Sequence, residues 1–484
     1  MFLDKDLKSI QEVRNLLLKA REAQGVLAKM GQGQLDAICC AVSAAGANAA
    51  GELARMAVEE TGFGVAADKE LKNQFAAVTV YEAIKGLKTV GILAEDREQR
   101  TMDVGTPVGI IAGLVPSTNP TSTVLYKSLI ALKAGSPIIF SPHPGAVGCI
   151  RRAAEIVQQA AESAGAPPGS VSCLTIPTLE ATGALMRHPY TRLILATGGG
   201  AMVKAAYSSG TPAIGVGAGN GPAYIHKSAD VALAVKRILA SKTFDNGTIC
   251  ASEQSIIVEK TMESAVSDQL LRQGGWILNE EQREKLSKFI LRGNGTMNPL
   301  IVGRSVGELV KLAGLTGVPP ESRVLVARET GVGDGYPFSN EKLGLILAYY
   351  VEEDEGAVFR RSAEILDYEG AGHTYAIHAQ DEDLVRRLAL HVPASRVLVN
   401  TPAALGGIGA TTNLFPALTL GCGAVGGSSS SNNIGPLDLV NVKRVAWGVR
   451  EREDLKGERP WKETINWSPE MTRQLVEQIL KRLP

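Results

Sequence analysis

From Asp96 onward the chain repeats one pattern: a short apolar run of strand length, a cluster of glycine, proline or serine, then a stretch of helical periodicity. The runs are Val108 to Val115, Pro137 to Phe140, Val171 to Ile176, Arg192 to Ala196 and Ala223 to His226. Helix-like stretches lie between and after them at Thr121 to Ala134, Gly145 to Ala164, Leu179 to Met186, Ala201 to Ser208 and Val231 to Lys242. Strands that alternate with helices indicate βαβ units and a parallel, doubly wound sheet. A second alternation follows Phe244, with strands expected near Gln254 to Val258, Val324 to Ala327, Leu343 to Tyr350 and Arg396 to Asn400. Ahead of both, Leu7 to Gly86 reads as three or four helices, its apolar residues three and four apart at Val13, Leu16 and Leu17 and again at Leu35, Ile38 and Val42.

Charge narrows the function classes. Fifty Lys+Arg cancel fifty Asp+Glu, and counterion release needs an excess of cations, so neither nucleic acid nor an anionic membrane is an expected partner. Nowhere do 18 apolar residues run together without charge, so no bilayer span is expected. MFLDKDLKSIQEVR carries charge by position 4 and lacks an apolar signal core, so no secretory leader is expected. The six cysteines show no CxxC pair and no metal-like spacing with histidine. That usage suits a reduced, cytoplasmic compartment without a metal site.

Gly421 to Gly435 is loop-like in composition, and the apolar pieces Leu437 to Val442 and Val445 to Val449 read as a returning hairpin. In the last segment, Ser468 to Pro484, Leu475, Val476, Ile479, Leu480 and Leu483 form an apolar stripe at helical spacing. Such a helix packs on its own domain, on a sister subunit, or in another protein's groove.

Chemistry concentrates in FDNGTICASEQSIIVEK, Phe244 to Lys260. A buried hydrophobe is the ordinary reading of a cysteine, and Cys39, Cys40, Cys149, Cys173 and Cys422 fit it. Cys250 does not: it follows the turn signal Asp245-Asn246-Gly247 and precedes a strand, which places it on a loop within reach of substrate.

TNP at Thr118 to Pro120, TGGGAMV at Thr197 to Val203, VGAGN at Val216 to Asn220, the Cys250 stretch, NEKLGLIL at Asn340 to Leu347, GAGHT at Gly370 to Thr374 and LTLGCG at Leu418 to Gly423 occur in order. Together they resemble the aldehyde dehydrogenase superfamily, and more narrowly its CoA-acylating branch. The resemblance implies N-terminal helices and a Rossmann-type cofactor domain over 1–243, with an oligomerisation hairpin about 95–106. It further implies a second α/β catalytic domain over 244–435, returning strands over 436–467 and a separate helix over 468–484.

Residue by residue, the resemblance makes Cys250 the nucleophile. A free aldehyde is a poor hydride donor, and a thiolate that adds to its carbonyl creates the alkoxide from which hydride can leave. Donors for that oxyanion would be the Asn119 side-chain amide and the Cys250 N–H, each worth about 3 kcal/mol. NAD would lie along the carboxyl ends of the first sheet, at Thr197, Gly198 and Gly199, with Gly217 nearby. Glu341 would orient the nicotinamide ribose. Ser141 and His143, in Ser141-Pro142-His143-Pro144, stand where many members carry a Lys and a Glu for the adenine ribose, which leaves NAD against NADP open. His373 resembles the branch's active-site histidine, either assisting deprotonation of the CoA thiol or orienting substrate; an unperturbed pKa near 6.5 suits the first role.

Hydrolytic relatives carry a water-activating glutamate within an ELGGKSP-like segment, and Val216 occupies the matching position here. Without that base water is a feeble nucleophile toward a thioester, whereas a few per cent of a thiol is already thiolate at pH 7. Coenzyme A is therefore the expected acceptor, in a reversible ping-pong reaction on a short aldehyde such as acetaldehyde or propionaldehyde. The alternatives are an acylating dehydrogenase of succinate semialdehyde or sulfoacetaldehyde, a carboxylate-forming hydrolytic enzyme, and a non-catalytic assembly protein. The resemblance also implies a homodimer or homotetramer, and attachment to a bacterial microcompartment shell through residues 468–484.

Overall fold

The computed structural model describes residues 4–293, 295–452 and 469–480. Asp4 caps the first helix, Lys5–Leu27, by accepting from the Asp6 N–H at 2.8 Å, and Val13, Leu17, Ala20 and Leu27 form its buried stripe. Helices Gln32–Asn48, Ala50–Thr61 and Ala66–Gln74 follow. The last runs through a π-helical turn, Phe75–Thr79, into Val80–Ile84. Contacts divide the chain into two compact units, Met1–Gly91 with Gly105–Asn441, and Ile92–Val104 with Val442–Pro484.

Strands β1 (Gly91–Asp96) and β2 (Thr101–Pro107) are neighbours joined by a short turn. Strands β3 (Ile110–Val115), β4 (Ile138–Pro142), β5 (Val171–Cys173), β6 (Thr191–Thr197) and β7 (Ala213–Val216) form a five-stranded sheet in the order β5-β4-β3-β6-β7. Every pairing in it is parallel. The two-residue period of a strand splits its side chains. Ile111, Ile138 and Phe140 pack with helices Pro120–Lys133 and Val147–Ser163, while Ile110, Ala112 and Leu114 pack with Lys5–Leu27 and Leu179–Arg187. Crossovers run one way from β3 to β4 and the other way into β6, so the crevice between β3 and β6 is a switch point of the kind where α/β sheets bind ligands.

The second sheet contains β8 (Pro222–Ile225), β9 (Ser255–Glu259), β10 (Gly275–Ile277), β11 (Val324–Arg328), β12 (Ile346–Glu352), β13 (Gly372–His378) and β14 (Ala394–Val399). Their order is β10-β11-β12-β9-β8-β13-β14, again parallel throughout. The Ala223 to His226 run, expected in the first alternation, is β8 and belongs to this sheet through Ala223↔Ile256 and Ala376↔Ala223. Periodicity marks a strand without naming its neighbours. The hairpin expected after Leu437 is instead a short 3-10 turn, Pro436–Leu439, and one strand, β15 (Val440–Ala446), which completes a three-stranded sheet in the order β1-β2-β15. Of the terminal helix expected over 468–484, the described part is Pro469–Leu480. Among the described residues no single helix is long and apolar enough to cross a membrane.

Candidate active site

The carboxyl ends of four strands of the first sheet open onto one groove with a cavity of about 390 Å³. After β3 the chain delivers Pro116 to Asn119, after β4 His143, after β6 Gly198 and Gly199, and after β7 Gly217 and Ala218. Cys250 and Glu341, from loops that precede β9 and β12, line the same groove. Asn119, Ser141, His143, Thr197, Gly198, Gly199, Gly217, Cys250 and Glu341, all expected from sequence, therefore meet here. His373 is not in the lining.

Two observations test whether a dinucleotide fits. The Thr197 hydroxyl is buried without a partner, an expense that a ligand hydrogen bond would relieve. A Cβ built at Gly199, Gly200 or Gly217 would meet nothing within 4 Å, so the backbone at the start of helix Gly200–Tyr207 borders open space, where its unpaired N–H groups suit a phosphate. Ser141 shares a hydrogen bond with the Thr182 hydroxyl at 2.8 Å, and His143 Nδ1 accepts from the Gly145 N–H at 3.1 Å. These residues fit the group.

Cys250 owes its place to an unusual backbone. Asp245, Asn246 and Gly247 are all left-handed, at φ 49, 52 and 74°, a conformation that non-glycine residues rarely adopt. Contacts compensate. The Asp245 N–H donates to Asp68 Oδ2 at 2.8 Å, while its own carboxylate accepts from the Val65 N–H at 2.8 Å and the Thr248 hydroxyl at 2.6 Å. A Cβ at Gly247 would come within 2.8 Å of the Gly344 carbonyl oxygen, so the loop also rests on the chain approaching β12.

Burial pushes the Cys250 thiol up to about 12, with the Glu341 carboxylate adding to the rise. Glu341 itself is raised to about 8 by burial and then by Glu369. Its Oε1 accepts from the Gly219 N–H at 2.8 Å. Gly219 in turn lies behind Cys250. A Cβ there would be 2.0 Å from the Cys250 carbonyl oxygen and 3.1 Å from His373 Cε1.

His373 thus backs onto the nucleophile's loop from outside the groove. Its Nδ1 bonds the Thr374 hydroxyl at 2.9 Å and its Nε2 is buried without a partner. Burial, followed by the nearby Arg396, draws its ring down to about 3, far from the ordinary value on which a proton-accepting role would depend.

Val216 closes β7 as a buried apolar wall of the groove. Sequence reasoning missed Gly219 as a spacer, and it missed Lys69, Lys72 and Asp245 beneath the groove. The two lysines sit three apart in ADKELKNQ, the pattern of an ordinary solvated helix face. They are 2% and 3% exposed.

The sequence pattern of the aldehyde dehydrogenase family matches residues 6–274. The chain is 44% identical over 443 residues to the bifunctional aldehyde-alcohol dehydrogenase of Escherichia coli (strain K12), an alignment covering 90% of this chain and 50% of that protein. It thus spans half the length of that curated relative. Among solved structures it is similar to a probable aldehyde dehydrogenase from Listeria monocytogenes EGD-e, with 58% identity and a TM-score of 0.92 over 94% of this chain and 100% of the other. It is also similar to an acetylating aldehyde dehydrogenase from Geobacillus thermoglucosidasius, with 51% identity and a TM-score of 0.91 over 93% and 99%.

Proposed function

The chain belongs to the aldehyde dehydrogenase family, and on that premise we propose that it converts a short, uncharged aldehyde reversibly to its acyl-CoA, with coenzyme A as acyl acceptor. NAD, when bound, supplies the hydride acceptor. Thr197, Gly198, Gly199 and Gly217 would hold it, with Ser141 and His143 toward the adenosine end and Glu341 at the nicotinamide ribose.

In this reading Cys250 Sγ adds to the carbonyl carbon as its thiol proton passes to solvent. The Asn119 amide and the Cys250 N–H receive the oxyanion. Departure of hydride from that carbon leaves a thioester on Cys250. The CoA thiol then attacks it, the C–S bond to Cys250 breaks, and the proton given up by CoA restores the Cys250 thiol as acyl-CoA leaves. For His373 a ring at about 3 supports a neutral, orienting role over proton transfer.

Val216 is the observation that carries the choice of acceptor. The wall on which hydrolytic relatives are expected to keep a base is apolar, and Glu341, at about 8, is mostly protonated at neutral pH. A thioester with no base beside it waits for a better nucleophile than water. Similarity to an acetylating aldehyde dehydrogenase favours acetaldehyde or propionaldehyde over succinate semialdehyde or sulfoacetaldehyde.

The β1-β2-β15 sheet is proposed to join subunits into a homodimer or homotetramer, because Ile92, Val442 and Val445 are exposed on it. Helix Pro469–Leu480 is proposed to dock the enzyme in a microcompartment shell; the cytoplasm or such a shell is the compartment this reading implies. The central test is product analysis with NAD or NADP, with and without CoA. Acyl-CoA should dominate when CoA is present. Free acid as the main product, or NADH formation near the parental rate in Cys250→Ala, would overturn the proposal.

A further inference from the structure

Beneath the groove two ammonium groups and one carboxylate are buried together. Lys69 and Lys72 project from helix Ala66–Gln74 onto Asp245, which is 0% exposed. Lys69 Nζ donates to Asp245 Oδ2 at 2.9 Å and to the Thr118 carbonyl at 3.0 Å. Lys72 Nζ donates to the same carboxylate oxygen, to the Thr248 hydroxyl at 3.3 Å, and to Oδ1 of Asn119. Burying such charges is expensive. Lys69 already ties the helix to Thr118 and Asp245, so anchoring alone does not account for the second lysine.

The donor inventory shows what Lys72 adds. An ammonium has three protons to give and no lone pair. Burial draws Lys72 down to about 8 against the pull of Asp245, so near neutrality it is a donor only. Whichever Asn119 atom faces it must be the oxygen. The amide nitrogen is then turned the other way, where it donates to the Thr248 carbonyl at 3.1 Å and reaches the Thr118 hydroxyl at 3.3 Å. Asn119 and Thr248 both line the groove; Lys72 does not. The longer bond, to Thr118, is the one an incoming oxyanion can replace. Turned over, the same amide would offer that oxyanion a lone pair.

We propose that Lys72, held by Asp245, is a positioning residue that sets the Asn119 amide with its N–H toward the Cys250 side of the groove. The proposal rests on the reading of Asn119 as an oxyanion donor. It adds that the donor's orientation is imposed from the N-terminal helices.

A double-mutant cycle tests it. Methionine copies the lysine stem and leaves Lys69 and Asp245 as a one-to-one pair, so Lys72→Met is expected to fold, as thermal unfolding checks; Lys72→Leu repeats the cycle if it does not. Acyl-CoA formation from acetaldehyde, NAD and CoA should show kcat falling about a hundredfold in Asn119→Ala and about tenfold or more in Lys72→Met, with KM for NAD unchanged. In the Asn119→Ala background, Lys72→Met should cost less than about threefold. Iodoacetamide should alkylate Cys250 in Lys72→Met at the parental rate, showing its loop in place. Losses that multiply, or a silent Lys72→Met, would overturn the positioning role while leaving the oxyanion assignment standing. A silent Asn119→Ala would overturn both.

Discussion

The α-carbon of Gly219 packs so closely on the Cys250 backbone that a Cβ would lie 2.0 Å from the carbonyl oxygen and 2.8 Å from its carbon. The same residue donates its N–H to Glu341 at 2.8 Å. Gly219→Ala must therefore shift either the nucleophile's loop or the Glu341 contact. A displacement of about 1 Å near reacting atoms costs about a hundredfold in rate, and that loss in kcat is expected. Gly219 needs no positive φ, so cooperative thermal unfolding should persist. Parental kcat would show that the loop tolerates displacement.

Val216→Glu places a carboxylate at the end of β7, on the groove wall beside Cys250. Free acid formed from aldehyde and NAD without CoA should rise about tenfold or more as water gains a base. Chromatography of the products measures it. An unchanged acid yield would mean that something other than the missing base protects the thioester.

The thiol should titrate late. With Cys250 raised to about 12 by burial and then by Glu341, the thiolate fraction grows about tenfold per pH unit, and iodoacetamide alkylation of Cys250 in the ligand-free protein, followed by peptide mass spectrometry apart from the exposed Cys40, should climb from about pH 7 to about pH 10 without a plateau. Glu341, raised to about 8, is charged above that pH and opposes the thiolate only there. Glu341→Gln should accordingly speed alkylation above about pH 8 and leave it unchanged near pH 6.5. A plateau near pH 8 would contradict the raised Cys250 thiol.

Removing residues 468–484 should leave kcat for acyl-CoA formation unchanged and abolish co-sedimentation with microcompartment shells. The described helix Pro469–Leu480 is the part of that segment whose apolar periodicity motivates the test. A truncated chain that no longer folds cooperatively would instead place the helix in its own domain.

Much of the fold was legible because its strands are short, apolar and separated by helices, as with Ile110–Val115 before Pro120–Lys133. Sheet membership was not, since β8 carries the same local pattern as the strands before it yet pairs with β9 and β13. β7 escaped notice because only four residues, Ala213–Val216, precede the glycines. In the site, Cys250 was legible from the Asp245-Asn246-Gly247 turn signal, whose residues do take the left-handed conformation. Nothing local could disclose Lys72: its carboxylate partner lies 173 residues further along, and two lysines on an amphipathic helix look solvated. His373 carried a motif but no trace of its burial, which comes from elements distant in sequence.

That separation also orders the birth of the enzyme. Lys69 and Lys72 leave the ribosome long before Asp245 exists, so until then they lack the carboxylate oxygen that both share in the folded chain. Once Asp245 arrives, Cys250 follows within five residues, and the thiol can be aimed only after the early helix and the late loop have found each other. A nascent chain carries its sulfur unaimed, and reactivity is acquired late in synthesis.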